Sequence, residues 1–307
     1  MASKARSDFL QRIRAFDTAS QQPHLISTGP NPSADPARLL RNGLMIVGFA
    51  ALEDFIRSRT GEVLAQIRGQ TTPFGDLPDA MRSASTDAVV RSFASMLPIW
   101  RRAGTSLDEI QSIGASLAST KRQPYRLSPL GLFALRNVSK EDIADGLKAF
   151  GVTNVWPSIN SIAARAALPG LALSDEYDAA HNRRNEAAHD GQANVLQGDL
   201  QGFAMPAIAI ALGYDALISR AARLLSDGTM TKTSLVTINS VDIRLRTIDR
   251  LANGWEEVQE GGPAVASGNR LSVLRSSARQ RALVSRDLMV IRPATRIAVE
   301  WETTDLG

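Results

Sequence analysis

The residue types best suited to chemistry in this chain stand close together, at Arg184, Asn185 and His189. On a helix these positions place a permanent cation, a side-chain amide and an imidazole within about one and a half turns. Arginine suits the charged oxygens of a phosphoryl transition state, and a neutral histidine suits proton transfer near neutral pH. These are the groups needed to cleave RNA without a metal, with the 2′-hydroxyl as the nucleophile.

A second histidine lies on the same stretch, because His181 precedes His189 by eight residues in a chain that has only three histidines. The i, i+4, i+8 spacing places His181, Asn185 and His189 in one stripe along a helix. Arg184 lies about 140° around the axis from His189. One imidazole does not easily act as both base and acid in one pass. We therefore expect a homodimer whose two-fold axis pools two histidines and two arginines.

The helix that positions these residues is predicted over 174–190, with Ser174 as its N-cap and Gly191 as the glycine that ends it. The helix predicted over 197–225 is the most apolar. Its apolar part is too short to span a bilayer, which favours a buried core helix. Apolar periodicity predicts the remaining helices over 5–17, 36–67, 78–97, 106–118, 139–150 and 157–168.

The pattern changes near residues 226–228, after which alternating apolar residues predict strands. The predicted fold class is mainly α: a helical bundle over 1–228 followed by a small antiparallel β domain over 229–307, α+β as a whole chain. Residues 121–168 are predicted as a helical insertion in the bundle. The strand signals are Leu235 to Ile238, Ile243 with Leu245, Leu271 with Val273, Leu288 to Ile291, and Ile297 with Val299 and Trp301.

Composition excludes several kinds of chemistry. The chain has no cysteine, which removes disulfides, thiolate catalysis and thiolate metal sites. It has no histidine pair at metal-ligand spacing and no glycine-rich phosphate loop, so we predict neither a metal nor a cofactor. No apolar run follows the basic N-terminus, so we expect no signal peptide and a cytoplasmic protein without a membrane partner. The formal charge of +4 permits a nucleic-acid partner.

The segment 184–189 resembles the R-x(4–6)-H motif of the HEPN superfamily, including the polar residue after its arginine. Residues 48–56, GFAALEDFI, resemble the long early helix of the RiboL-PSP-type branch of that superfamily. The resemblance covers about residues 36–225. It implies an all-α bundle that dimerises with its motifs facing each other. It also implies a metal-independent endoribonuclease, often a toxin or an effector of anti-phage defence.

By this resemblance Arg184 would hold the scissile phosphate, His189 would transfer protons, and Asn185 would support both. His181 is a candidate supporting residue. The resemblance also makes Glu53 and Asp54 candidates for acidic groups behind the site. The implied partners are RNA, such as tRNA or mRNA, and a neutralising antitoxin or another component of a defence system.

Basic clusters outside the motif are candidate RNA contacts. They are Arg101 and Arg102, Lys121 and Arg122, and, in the strand-rich tail, Arg275, Arg279 and Arg281. Three alternatives to the nuclease stay open. In the first, the chain is a non-catalytic HEPN scaffold that binds RNA or a protein. In the second, it is a DNA-binding regulator whose basic tail makes the contacts. In the third, the motif is an ordinary solvated helix face.

Overall fold

The computed structural model describes residues 3–26, 35–67, 72–133, 137–294 and 299–304. Within these residues nine α-helices precede a five-stranded sheet that holds a tenth helix, so the mainly α, α+β fold class is confirmed. The helices are α1 Lys4–Ser20, α2 Pro36–Gln66, α3 Asp79–Ser85, α4 Asp87–Ala103, α5 Ser106–Ser119, α6 Lys140–Ala149, α7 Val155–Arg165, α8 Leu173–His189, α9 Gln197–Ser226 and α10 Leu271–Ser285. The strands are β1 Leu245–Leu251, β2 Gly254–Gln259, β3 Ala264–Gly268, β4 Leu288–Arg292 and β5 Glu300–Glu302.

Two long helices, α2 and α9, form the centre of the bundle. The Asp35 carboxylate caps α2 by accepting a hydrogen bond from the backbone N–H of Ala37, with Pro36 at the first helical position. By length and composition alone α9 is long and apolar enough to cross a membrane. In the protein, 83% of its most apolar window is buried. The prediction of a buried core helix is confirmed, and α1, α2, α7 and α8 pack around it.

The helix predicted over 78–97 is two helices, because the backbone breaks at Thr86, with φ −127° and ψ −82°. The second of them, α4, continues to Gly104, whose left-handed φ of 74° lets the chain reverse into α5. We call residues 87–126 the α4–α5 arm. The two helices share a small core of their own, formed by Val89, Met96, Ile113 and Leu130 with Phe93, Trp100 and Leu117.

The C-terminal sheet has the strand order β3-β2-β1-β4-β5, and β1 pairs antiparallel with β2 but parallel with β4. The predicted antiparallel sheet is therefore wrong at its centre. The reason is α10, which was predicted as a strand from Leu271 and Val273. Leu274, Ala278 and Ala282 bury one helical face, and a helix between β3 and β4 lets β4 return parallel to β1.

Two other predicted strands differ. Residues 235–238 form no strand, and Ile238 makes only an isolated bridge to Val152. At the C-terminus, β5 contains the predicted Trp301, whereas Ile297 lies outside the described residues. The strand predicted at 288–291 is confirmed as β4.

Part of the sheet packs into the main hydrophobic core of the bundle, while α10 and the rest of the sheet form a separate core cluster. The ring of Trp301 packs edge-on against Phe55, with 6.4 Å between centroids, and its Nε1 donates to the Asp215 carboxylate at 2.8 Å. Burial alone would raise the pKa of Asp215, but Arg59 and Arg6 hold the pKa of this carboxyl below its usual value. The predicted boundary near residue 228 separates helices from strands, while the packing continues across it.

Candidate functional site

The helix α8 presents the motif, and its start differs from the prediction. Ala172 precedes the helix in a left-handed conformation, with φ 55°, so Ser174 lies inside the first turn and is not the cap. Leu173 is fully buried, and its backbone N–H donates to Asn160 Oδ1 at 3.3 Å. Burial of this leucine and the hydrogen bond to α7 explain the earlier start. The helix ends at His189.

One face of α8 packs against α2. Tyr177 and Ala180 are buried there, and Phe49 of α2 contacts the rings of Tyr177 and His181 with centroid distances of 5.2 and 5.7 Å. Arg184 lies one turn after Ala180 and is half-buried. Packing against the core therefore fixes the helix face from which Arg184 and His181 project.

The amide of Asn185 is the centre of a small polar network. Its Oδ1 accepts from Arg184 Nη1 at 3.1 Å and from Asn137 Nδ2 at 2.9 Å. Its Nδ2 lies 3.3 Å from both ring nitrogens of His181, so either can form the hydrogen bond. The structure thus brings three of the sequence-predicted residues together and adds Asn137.

Arg184 keeps an uncompensated positive charge. Among the described residues it forms no ion pair, and its buried Nε has no hydrogen-bond partner. The adjacent Arg183 differs, because its guanidinium pairs with Asp199 at 3.1 Å. A buried donor without an acceptor is costly, and a guanidinium held in a half-buried position suits an incoming anion.

His189 does not join the network of Asn185. It is exposed at the end of α8 and has no hydrogen-bond partner among the described residues. The loop after it is held by α2, since Arg38 Nη1 donates to Gly191 O at 2.9 Å and Asn42 Nδ2 to Ala193 O at 2.8 Å. Arg183 lines a cavity of about 120 Å³ beside α8, but Arg184 and His189 do not. One protomer therefore leaves His189 open to a partner or a ligand.

Glu53 supports the site from behind. Its buried carboxylate accepts the Val138 backbone N–H at 2.5 Å, and the Tyr177 hydroxyl donates to Val138 O at 2.7 Å. Burial raises the pKa of Tyr177, which keeps this hydroxyl protonated as a donor. Together they hold the backbone next to Asn137, so Glu53 acts on the network through residues 137–138.

Asp54, the second predicted acidic residue, faces another direction. It is half-exposed and pairs with Arg12 of α1 at 2.7 Å. Successive residues on a helix point about 100° apart, so Glu53 and Asp54 cannot both face α8. In this structure Asp54 has no contact with the motif.

The tail arginines predicted as RNA contacts already form ion pairs with carboxylates of the sheet. Arg275 pairs with Glu300 and Glu302, Arg279 pairs with Glu302, and Arg281 pairs with Glu257. These carboxylates lie on β2 and β5 of the sheet. Arg101, Arg102, Lys121 and Arg122 are exposed instead, and none forms an ion pair among the described residues.

Asn137 is the site residue that the sequence did not indicate. It precedes Asn185 by 48 residues, and no periodicity connects the two. The only local signal is the capping box of Ser139 and Asp142, which starts α6 directly afterwards. That signal places a helix but does not indicate a contact with α8.

Comparison of the chain with protein-family models, with curated proteins and with solved structures gave no match.

Proposed function

We propose that this protein is a metal-independent endoribonuclease of the HEPN type. The 2′-hydroxyl of RNA would attack the adjacent phosphorus, and the products would be a 2′,3′-cyclic phosphate and a 5′-hydroxyl. The observation that supports this most strongly is the state of Arg184. It is half-buried, oriented by Asn185 and free of any carboxylate among the described residues, about one and a half turns from the exposed His189.

Each residue has a role that follows from its surroundings. Arg184 would neutralise charge that develops on the phosphoryl oxygens, and its partial burial strengthens that interaction. Asn185 would hold the guanidinium in place while Asn137 holds Asn185. His189 would transfer the proton.

A second copy of the chain would supply the second histidine. The α2 helix exposes the apolar side chains of Leu39, Leu40 and Val47. The same part of α2 holds the loop that follows His189, through Arg38 and Asn42. A two-fold-related copy that covers this stripe would place two α8 ends near each other. The proposal includes a homodimer in the cytoplasm that acts as a toxin or defence effector and is neutralised by a partner.

The test is cleavage of total RNA by the purified full-length protein in EDTA. Arg184→Ala should lower the rate by about 10²–10³-fold, and His189→Ala by about 10²–10⁴-fold. Arg183→Ala and His24→Ala are matched controls, because Arg183 is paired with Asp199 and His24 is an exposed histidine elsewhere. Equal cleavage by both motif variants and the wild type would overturn the proposal.

A non-catalytic RNA-binding scaffold is the second candidate. The separation of His189 from the Arg184 network favours it, because one protomer does not assemble both groups at one point. A scaffold would leave total RNA intact in the cleavage assay. It would bind RNA in a separate affinity measurement, and His189→Ala would leave that affinity unchanged.

A further inference from the structure

Unpaired positive charge gathers in the α4–α5 arm, residues 87–126. None of the Lys or Arg side chains of the arm forms an ion pair within the described part of the chain, and all of them are exposed. They are Arg91, Arg101, Arg102, Lys121, Arg122 and Arg126. Elsewhere most arginines and lysines have a carboxylate within 4.0 Å, as in the C-terminal sheet.

The arm also contains most of the net charge of the protein. Its six cations face three acids, Asp87, Asp108 and Glu109, so the arm has three of the four net positive charges of the chain. Because none of these acids pairs with a cation of the arm, the positive charges are open to an external anion.

The cations lie at both ends of the arm. Arg101 and Arg102 adjoin the reversal at Gly104, whereas Lys121 and Arg122 follow the far end of α5. The 14 residues of α5 separate these clusters by about 21 Å. A compact ligand such as a single phosphate cannot contact both. A polyanion with phosphates at regular intervals can.

The arm is joined closely to the candidate site. Leu130 belongs to the core of the arm, Leu132 and Phe133 belong to the main core, and Asn137 contacts Asn185. The eleven Cα–Cα steps from Arg126 to Asn137 span at most about 40 Å when the chain is fully extended. A strand held on the arm therefore lies within reach of Arg184.

We propose that the α4–α5 arm is the RNA-binding surface of this protein. Its two basic clusters, about 21 Å apart at the two ends of α5, would both contact the phosphate backbone. RNA as the partner rests on the proposed function. The contacts are to phosphates, so the arm positions RNA without reading its sequence.

The experiment measures fluorescence anisotropy of a labelled single-stranded RNA with full-length protein over a salt series. His189→Ala is the background, so that the RNA stays intact. Two double variants, Arg101→Glu with Arg102→Glu and Lys121→Glu with Arg122→Glu, are combined into a quadruple variant. The matched control is Arg270→Glu with Arg286→Glu, which reverses two exposed, unpaired arginines beside the sheet. Circular dichroism establishes that each variant is folded.

Each double variant should weaken binding at least tenfold, and the control should not. The logarithm of the binding constant falls as the logarithm of the salt concentration rises. This dependence should become shallower by about 0.7 for each phosphate that the variant no longer neutralises. An unchanged affinity in the quadruple variant, or an equal loss in the control, would overturn the proposal. Tighter binding of duplex DNA or of anionic lipid vesicles than of RNA would also overturn it. If the wild-type protein cuts no RNA but binds it through the arm, the proposal of an RNA-binding arm is supported and only the proposed nuclease activity is rejected.

Discussion

Arginines in two regions of this molecule have opposite surroundings. In the sheet, Arg246 donates to Glu257 at 2.7 Å and to Asp287 at 3.0 Å, and both carboxylates are fully buried. In α8, the one hydrogen-bond partner of Arg184 among the described residues is the neutral amide of Asn185. The first arginine is compensated and the second is not.

A basic sequence leaves cations free to meet an external anion only where no neighbouring carboxylate pairs with them. The tail has many arginines, yet Arg275 and Arg281 are neutralised by acids on neighbouring strands. Among the described residues, the α4–α5 arm has six cations without an ion pair, and Arg184 of the candidate site has none either.

The largest changes in stability and in activity should appear when Arg246, which is paired, and Arg184, which is not, are each replaced. Arg246→Met leaves two buried carboxylates short of a partner and should lower the free energy of unfolding by about 3–5 kcal/mol. Arg184→Met should change that free energy by less than about 1 kcal/mol and lower the cleavage rate by about 10²–10³-fold. Chemical denaturation and the RNA assay measure the two quantities, with the exposed Arg250→Met as control. Equal destabilisation by both substitutions would show that the surroundings of Arg184 and Arg246 do not differ as described.

Asp215, whose carboxylate pairs with Arg59 and Arg6, should make the free energy of unfolding depend on pH in the acidic range. Its pKa is lowered in the folded protein, so its stabilisation is present above its ordinary pKa of 3.8 and is lost as pH falls through the folded value. The free energy of unfolding should therefore drop below about pH 4 in the wild type and depend less on pH in Asp215→Asn. Denaturation at several pH values checks this. Parallel curves for the two proteins would contradict it.

A substitution at Asn137 tests whether the hydrogen bond to Asn185 positions Arg184. Asn137→Asp keeps the shape of the side chain but removes the donor to Asn185. The rate constant kcat should fall by about tenfold to a hundredfold with KM unchanged, because misplacement of Arg184 affects the transition state. Asn182→Asp, exposed on the same helix, is the control. Full activity of the Asn137 variant would show that the network does not position Arg184.

The smallest effect separates the neighbours Glu53 and Asp54. Glu53→Ala leaves the buried Val138 N–H without its acceptor and should cost about 1–3 kcal/mol. Asp54→Ala removes a surface ion pair with Arg12 and should cost less than about 1 kcal/mol. Denaturation midpoints distinguish them, and a larger loss for Asp54 would reverse the assignment of Glu53 as the supporting residue.

Local patterns predicted most of the helices, because apolar periodicity and caps lie within a few residues of each other. They placed Arg184, Asn185 and His189 on α8 correctly. Alternation over only a few residues at 271–273 indicated a strand, whereas the longer spacing of buried residues in α10 is helical.

Contacts between distant residues could not be predicted in this way. The hydrogen bond from Asn137 to Asn185 and the pairing of Arg281 with Glu257 depend on tertiary packing. Those contacts decide which polar groups are held and which charges are compensated. A single sequence therefore indicated the motif but not the residue that orients it.

The most direct measurement is cleavage, in EDTA, of a labelled RNA oligonucleotide and of the same oligonucleotide with one 2′-deoxy nucleotide at the cleaved position. Attack by the 2′-hydroxyl, with Arg184 and His189 as the acting groups, predicts a 2′,3′-cyclic phosphate and a 5′-hydroxyl. It also predicts no cleavage at the deoxy position and a rate lowered at least about a hundredfold in either alanine variant. Cleavage at the deoxy position, or products with a 5′-phosphate, would contradict the proposed mechanism.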